Sequence, residues 1–223
     1  MLIQIYAINN LCDAEKLCEL GVDRLGIVAS KTGNVEKGIV SYKKAKELIS
    51  FIREQGRETS LILDVKKIEE IVPIIEFTEP DYLHICYVVE RDYLIKLRRS
   101  VKSKILLAIP VSGEESIDKA IMFEDLVDSF ILDTPGESKQ MPGFIGATGK
   151  THDWSVSRKI VESVKKPVIL GGGLSPDNVC EAIKKVKPSG VDAKTSLDIQ
   201  GGNGRKDIKK VELFVERVRE CKF

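Results

Sequence analysis

Three stretches of this 223-residue chain combine residue types and spacing suited to chemistry on a phosphorylated molecule. The first is Gly171-Gly172-Gly173-Leu174-Ser175-Pro176-Asp177-Asn178. Successive glycines let backbone N–H groups approach an anion closely, since no Cβ intervenes. Ser175 as N-cap and Pro176 at the first helical position predict a helix starting directly behind the turn. The second is Lys194-Thr195-Ser196-Leu197-Asp198, followed by Gly201-Gly202-Asn203-Gly204-Arg205-Lys206-Asp207. Donors at Thr195 and Ser196 suit the completion of a phosphate cradle begun by Gly171, Gly172 and Gly173. The third is Asp133, a carboxyl closing an apolar run, where it can act as a general acid or base. Each also has a plain structural reading: a tight turn, an ion-paired loop and a capping aspartate.

Asp133 is followed by a long segment, 135–152, carrying Gly143, Gly146, Thr148 and Gly149. Loops of that length with glycines at both ends commonly serve as lids. His84 and Cys86 share one strand face, but with no third ligand in view core packing is the better reading and no metal is expected. His152, beside Trp154, reads as a surface or capping residue.

Short β-rich runs at 2–7, 24–29, 59–65, 82–87, 104–110, 129–133, 167–170 and 190–193 must position these groups. Helical stripes separate them, among them Ala45, Leu48, Ile49 and Ile52, then Ile68, Ile71, Val72 and Ile75, and finally Ile208, Val211, Val215 and Val218. Strict alternation of eight strands with eight helices implies parallel pairing, and the strands are apolar on both faces. The expected fold is α/β, a single (βα)8 TIM barrel spanning residues 1–223, which outranks an open doubly wound sheet. In such a barrel the site lies at the carboxyl ends of the strands, where all three stretches fall.

Charge and composition narrow the function classes. The 35 basic and 34 acidic residues leave a net charge of +1, so no global field attracts nucleic acid or a membrane surface. Five widely spaced cysteines without a CxxC fit neither a disulfide framework nor a zinc ribbon, and a reducing cytoplasm is the expected location. No targeting or membrane-spanning segment is evident. A small phosphorylated molecule is the expected partner, and no cofactor is implied.

Taken together, Leu132-Asp133-Thr134, the run Gly146 to Trp154, the run Leu170 to Val179 and Gly204-Arg205-Lys206-Asp207 resemble phosphoribosylanthranilate isomerase, a (βα)8-barrel enzyme of tryptophan biosynthesis. The resemblance spans the chain and is most specific over its last hundred residues. It implies an Amadori rearrangement in which an acid opens the ribose ring and a base removes the C2 proton. Asp133 matches the acid. The family's base is a first-strand cysteine, and Tyr6 stands in its place. A phenol with a pKa near 10 is a poor base, so proton abstraction is left to water, Cys86 or an unusually acidic Tyr6. The family's glycine after the cysteine is Ala7, its Gln-Leu-His is His84-Ile85-Cys86, and its Ser-Ser-Gly is Lys194-Thr195-Ser196. The arginine expected to hold the anthranilate carboxylate has Lys31 or Lys37 as its nearest substitute. The resemblance leaves room for a homodimer. Two alternatives stay open: a divergent enzyme acting on another phosphorylated ligand, and a non-catalytic phosphosugar-binding barrel.

Overall fold

The computed structural model describes residues 1–34, 38–136, 143–146 and 149–221. Lys37 and Thr148 lie outside the described residues. Eight strands form the barrel: β1 (Leu2–Ile5), β2 (Arg24–Ser30), β4 (Glu58–Leu63), β5 (Tyr82–Ile85), β6 (Lys104–Pro110), β7 (Ser129–Asp133), β8 (Val168–Leu170) and β9 (Gly190–Ala193). Every pairing between neighbours is parallel, and β1 pairs with both β2 and β9, which closes the sheet. A two-residue strand that the sequence does not announce, β3 (Val40–Ser41), extends β2 beyond the barrel.

Helices cover the outer face of this sheet. In α2 (Tyr42–Glu54) the buried side chains are Ala45, Leu48, Ile49 and Ile52, the stripe expected from a 3.6-residue period, and Ser41 caps the helix by accepting from Lys44 N. The final helix, α8 (Ile208–Glu220), buries Val211, Phe214, Val215 and Val218. Between them in the chain come α3 (Ile68–Thr78), α4 (Arg91–Ser100), α5 (Glu115–Phe123), α6 (Trp154–Ser163) and α7 (Val179–Val186), while α1 (Leu11–Glu19) precedes them all. Regular structure in α7 begins at Val179, later than the expected start at Ser175-Pro176. The Asn178 side chain explains the delay. Its Oδ1 accepts from Ser175 N at 2.8 Å and its Nδ2 donates to Gly173 O at 3.0 Å, which closes residues 175–178 as a separate turn.

Strand register decides what faces the barrel interior. Gln4 pairs with Asp192 and Ile5 with Ala193, so alternate residues put Gln4 and Asp192 in one inward layer. Gln4 Nε2 donates to Asp192 Oδ1 at 3.0 Å. Arg24 Nη1 donates to Gln4 Oε1 at 3.4 Å, its Nη2 pairs with Glu58 at 2.8 Å, and its guanidinium lies 3.6 Å from the Tyr82 ring centroid. A buried guanidinium is tolerated only when paired in this way, and the network fills the barrel floor.

Candidate active site

The strand-final residues meet at the carboxyl-terminal rim of the barrel. A cavity of about 170 Å³ there is lined by Asp133, Gly149, the Gly172-Gly173-Leu174 turn, Asp192, Ala193 and the Lys194-Thr195-Ser196 segment. Gly171 continues the sheet, donating to Leu132 O at 2.8 Å, and the turn then departs from it. Gly172 and Gly173 take positive φ values of 76° and 64°, which is why glycine is required. Among the described residues no acceptor takes either amide. A Cβ at Gly172 would stand 2.6 Å from Thr134 Oγ1 and 2.7 Å from His152 Nδ1, so the turn is packed tightly from behind.

Across the cavity from this turn stand two carboxyl groups. Burial pushes Asp133 up to about 6, against the lowering effect of the Thr134 amide on Oδ1. Gly146 lies against Asp133 so closely that a Cβ there would overlap the carboxyl group. Asp192 is pushed up to about 7, chiefly by burial and further by the Asp133 charge, while Gln4, Lys206 and Arg24 pull it down. Lys194 Nζ lies 3.4 Å from Asp198, which also takes the fully buried Lys206 ammonium at 2.5 Å. Arg205 pairs with buried Asp13 of α1 at 2.9 Å, anchoring the last loop from outside. Ser196 Oγ donates to Leu174 O at 2.5 Å, linking the two anion-facing loops.

The matching family model, N-(5′-phosphoribosyl)anthranilate (PRA) isomerase, covers residues 3–217. The chain belongs to this isomerase family. It is 36% identical over 226 residues to N-(5′-phosphoribosyl)anthranilate isomerase 2 of Methanosarcina mazei, covering 100% of this chain and 96% of that one. Among solved structures, the phosphoribosyl anthranilate isomerase of Thermotoga maritima superposes with a TM-score of 0.82 at 22% identity, covering 98% of both chains. That of Pyrococcus furiosus gives 0.76 at 26% identity, again over 98% of both.

Against the family's frame, the structure brings together Asp133, Gly149, Gly172, Gly173, Thr195 and Ser196, with Gly171 and Gly146 adjoining them. Tyr6 is not among them, contrary to its expected catalytic place. Its hydroxyl is held 2.5 Å from Ser60 Oγ and 2.7 Å from His84 Nδ1, inside the barrel. Burial raises its pKa well above the ordinary phenol value, the opposite direction from the acidic phenol a base would need. Gly26 makes room for the ring, since a Cβ there would overlap it. Cys86, the candidate for a relocated thiol, also stands outside the cavity: it is buried, burial raises its pKa strongly, and its carbonyl is covered by the Ile145 amide at 2.6 Å. His84 is held neutral by burial, with a pKa lowered to about 3, and its Nε2 has no partner among the described residues.

Other expectations need correction or extension. His152 is an internal strut rather than a surface cap, with Nδ1 3.3 Å from Thr134 Oγ1 and Nε2 2.8 Å from Ser157 Oγ. The helix cap is Asp153, which accepts from Ser155 N. Lys31 is exposed and lines neither cavity. A second cavity of about 490 Å³ on the same rim is lined by Asn9, Asn10, Thr32 and Ser41, with Lys44 and Arg205 as its cations. The described part of the long loop is pinned by Lys66, whose Nζ donates to Gly143 O at 2.8 Å and stacks on Phe144 and Tyr87 at 4.8 and 5.1 Å. Sequence reasoning missed Asp192, Lys66 and Gly26, because each acquires its role through strands or loops distant in the chain.

Proposed function

We propose that this barrel isomerises N-(5′-phosphoribosyl)anthranilate, with Asp133 as the general acid and the Gly172-Gly173 turn with Thr195 and Ser196 as the phosphate cradle. One observation carries the reading: a buried carboxyl group, raised by that burial toward about 6, shares a cavity with two glycine amides that meet no acceptor among the described residues. The amides suit a phosphate because they present partial positive charge without the entropy cost of ordering a side chain. Lys194, beside them, lines the cradle with a cation whose charge it shares with Asp198.

With the phosphate fixed there, Asp133 donates its proton to the ribose ring oxygen as the bond from that oxygen to C1 breaks. The nitrogen lone pair forms the C1=N bond of the open, N-protonated imine. A pKa near 6 suits this task, because a sufficient fraction is protonated near neutrality while the conjugate base is stable enough to form. The arylamine arm extends toward the second cavity, where Asn9, Asn10, Lys44 and Arg205 offer polar and cationic contacts in place of the absent arginine. The five free thiols support a reducing cytoplasm as the location. We expect a homodimer, by likeness to the dimeric enzyme of Thermotoga maritima, and sedimentation equilibrium measures this directly.

The deciding experiment follows consumption of N-(5′-phosphoribosyl)anthranilate by the purified protein, with the Asp133→Asn variant alongside. Turnover that the variant loses is the expected result. A protein that binds inorganic phosphate in calorimetry yet never consumes this substrate at any concentration would return the barrel to a binding role.

A further inference from the structure

Removing the C2 proton needs a base, and the residue in the family's base position is sealed away from the cavity. The titratable groups that line that cavity are Asp133, Asp192 and Lys194. Lys194 is committed to Asp198 and, as a cation, holds no lone pair for a proton. Tyr6, His84 and Cys86 do not line the cavity, and His152 is engaged by Thr134 and Ser157 behind the glycine turn.

Asp192 differs from all of these. It sits on β9, next to β1 in the closed sheet and level with Gln4, with its side chain directed inward. Gln4 Nε2 fixes Oδ1, and among the described residues Oδ2 meets no hydrogen-bond donor. The groups facing it are Gln4 from β1, Tyr6 just past the end of that strand, Arg24 from β2, Asp133 from β7 and Lys206 from the last loop. Resting on the reading of this barrel as a phosphoribosylanthranilate isomerase, we propose that Asp192 is its catalytic base, taking the C2 proton of the imine that Asp133 generates.

The proton inventory closes. Two neighbouring carboxyl groups in one cavity share a proton over an intermediate pH range, and the productive form of the singly protonated pair is the tautomer in which Asp133 holds the proton and Asp192 is the carboxylate. Asp133 gives its proton to the ring oxygen and becomes a carboxylate. Asp192 then takes the C2 proton, the C2–H electron pair forms the C1=C2 bond, and the C=N π pair returns to nitrogen as the enolamine forms. On ketonisation C1 gains one proton and the 2-hydroxyl loses one. Return of the Asp192 proton to C1 and of the hydroxyl proton to Asp133 restores the starting pair. No external oxidant, reductant or metal is consumed.

The test compares wild type with Asp192→Asn, Asp192→Glu and Tyr6→Phe on N-(5′-phosphoribosyl)anthranilate. For Asp192→Asn we expect kcat to fall about 10²- to 10⁴-fold, KM to stay within about threefold of wild type, and inorganic phosphate binding to be unchanged. Asp192→Glu should recover part of the rate, and substrate deuterated at C2 should show a larger isotope effect in the glutamate variant. Tyr6→Phe should keep kcat within about threefold. Wild-type kcat should trace a narrow bell whose acid and alkaline limbs are the first and second ionisations of the carboxyl pair, near pH 6 to 7. If Asp192→Asn does not fold, the Tyr6→Phe rate and the wild-type acid limb decide. A Tyr6→Phe rate reduced a hundredfold or more, or a flat acid side, overturns the proposal. An active wild type with an equally active Asp192→Asn overturns the base while leaving the isomerase reading intact; an inert wild type overturns both.

Discussion

The half of the barrel built from β7, β8 and β9 and the half built from β1, β2, β4 and β5 follow the same alternation of strand and helix, yet they treat inward polar groups in opposite ways. On the first half Gly172 and Gly173 keep amides that meet no acceptor among the described residues, and Asp133 and Asp192 keep raised pKa values, all facing one cavity. On the second half Tyr6 bonds Ser60 and His84, and Arg24 is consumed by Gln4 and Glu58. Unmet polar demand costs stability and is retained where a ligand meets it; demand met internally contributes structure. The contrast separates a chemical wall from a packed wall within one closed sheet.

The largest expected effect strikes the first wall. Asp133→Asn should lower kcat about 10²- to 10⁴-fold while raising stability above pH 7. The sign follows from the raised folded pKa: ionisation opposes folding, so stability is lost as pH rises through about 6. The asparagine variant escapes that loss and should gain on the order of 1 kcal/mol at pH 8 and nothing at pH 3. Denaturant melts at the two pH values check it, and a variant that loses stability at pH 8 breaks the contrast.

Gly172→Val should come next. Its Cβ would press on Thr134 and His152, so inorganic phosphate affinity should drop at least about tenfold by calorimetry, with about 1–3 kcal/mol of stability lost. Gly146→Ala tests the same wall more gently. Its methyl group displaces the loop from the Asp133 carboxyl group, which readmits water and moves the limb that Asp133 contributes to the pH profile toward the ordinary carboxylate range.

On the packed wall the outcomes reverse. Tyr6→Phe leaves Ser60 and His84 without their shared partner and should cost about 1–3 kcal/mol in a urea titration while sparing catalysis. The smallest effect is expected at Ala7, a non-glycine residue at φ 65° directly after β1. Ala7→Gly relieves left-handed strain of about 1–2 kcal/mol, partly offset by added freedom of the unfolded chain, so a gain of up to about 1 kcal/mol is the result to seek.

Much of this was legible because it is local. Apolar runs such as Thr59 to Leu63 and the stripe Ala45, Leu48, Ile49 and Ile52 carry their period within a few residues. Asp133 and the glycine turn stand at strand ends, where a barrel of this kind exposes function. Asp192 was hidden because it lies inside Gly190–Ala193, and only its register with Gln4 shows which way it faces. Tyr6 misled for a related reason. Its position suggested chemistry, but its direction is set by Ser60 and His84 on strands far along the chain. The β3 pair Val40–Ser41 and the delayed start of α7 escaped notice because a two-residue bridge and a single asparagine side chain leave no periodic trace.

The fit of the Tyr6 ring over Gly26 ties the two positions together. A phenol at position 6 has room only because position 26 lacks a side chain. A small residue at 6 leaves a void beside a bare strand, and any side chain at 26 collides with the ring. Neither site therefore tolerates exchange alone, and a thiol placed at position 6 of this chain leaves a hollow whose cost falls on stability before it falls on chemistry.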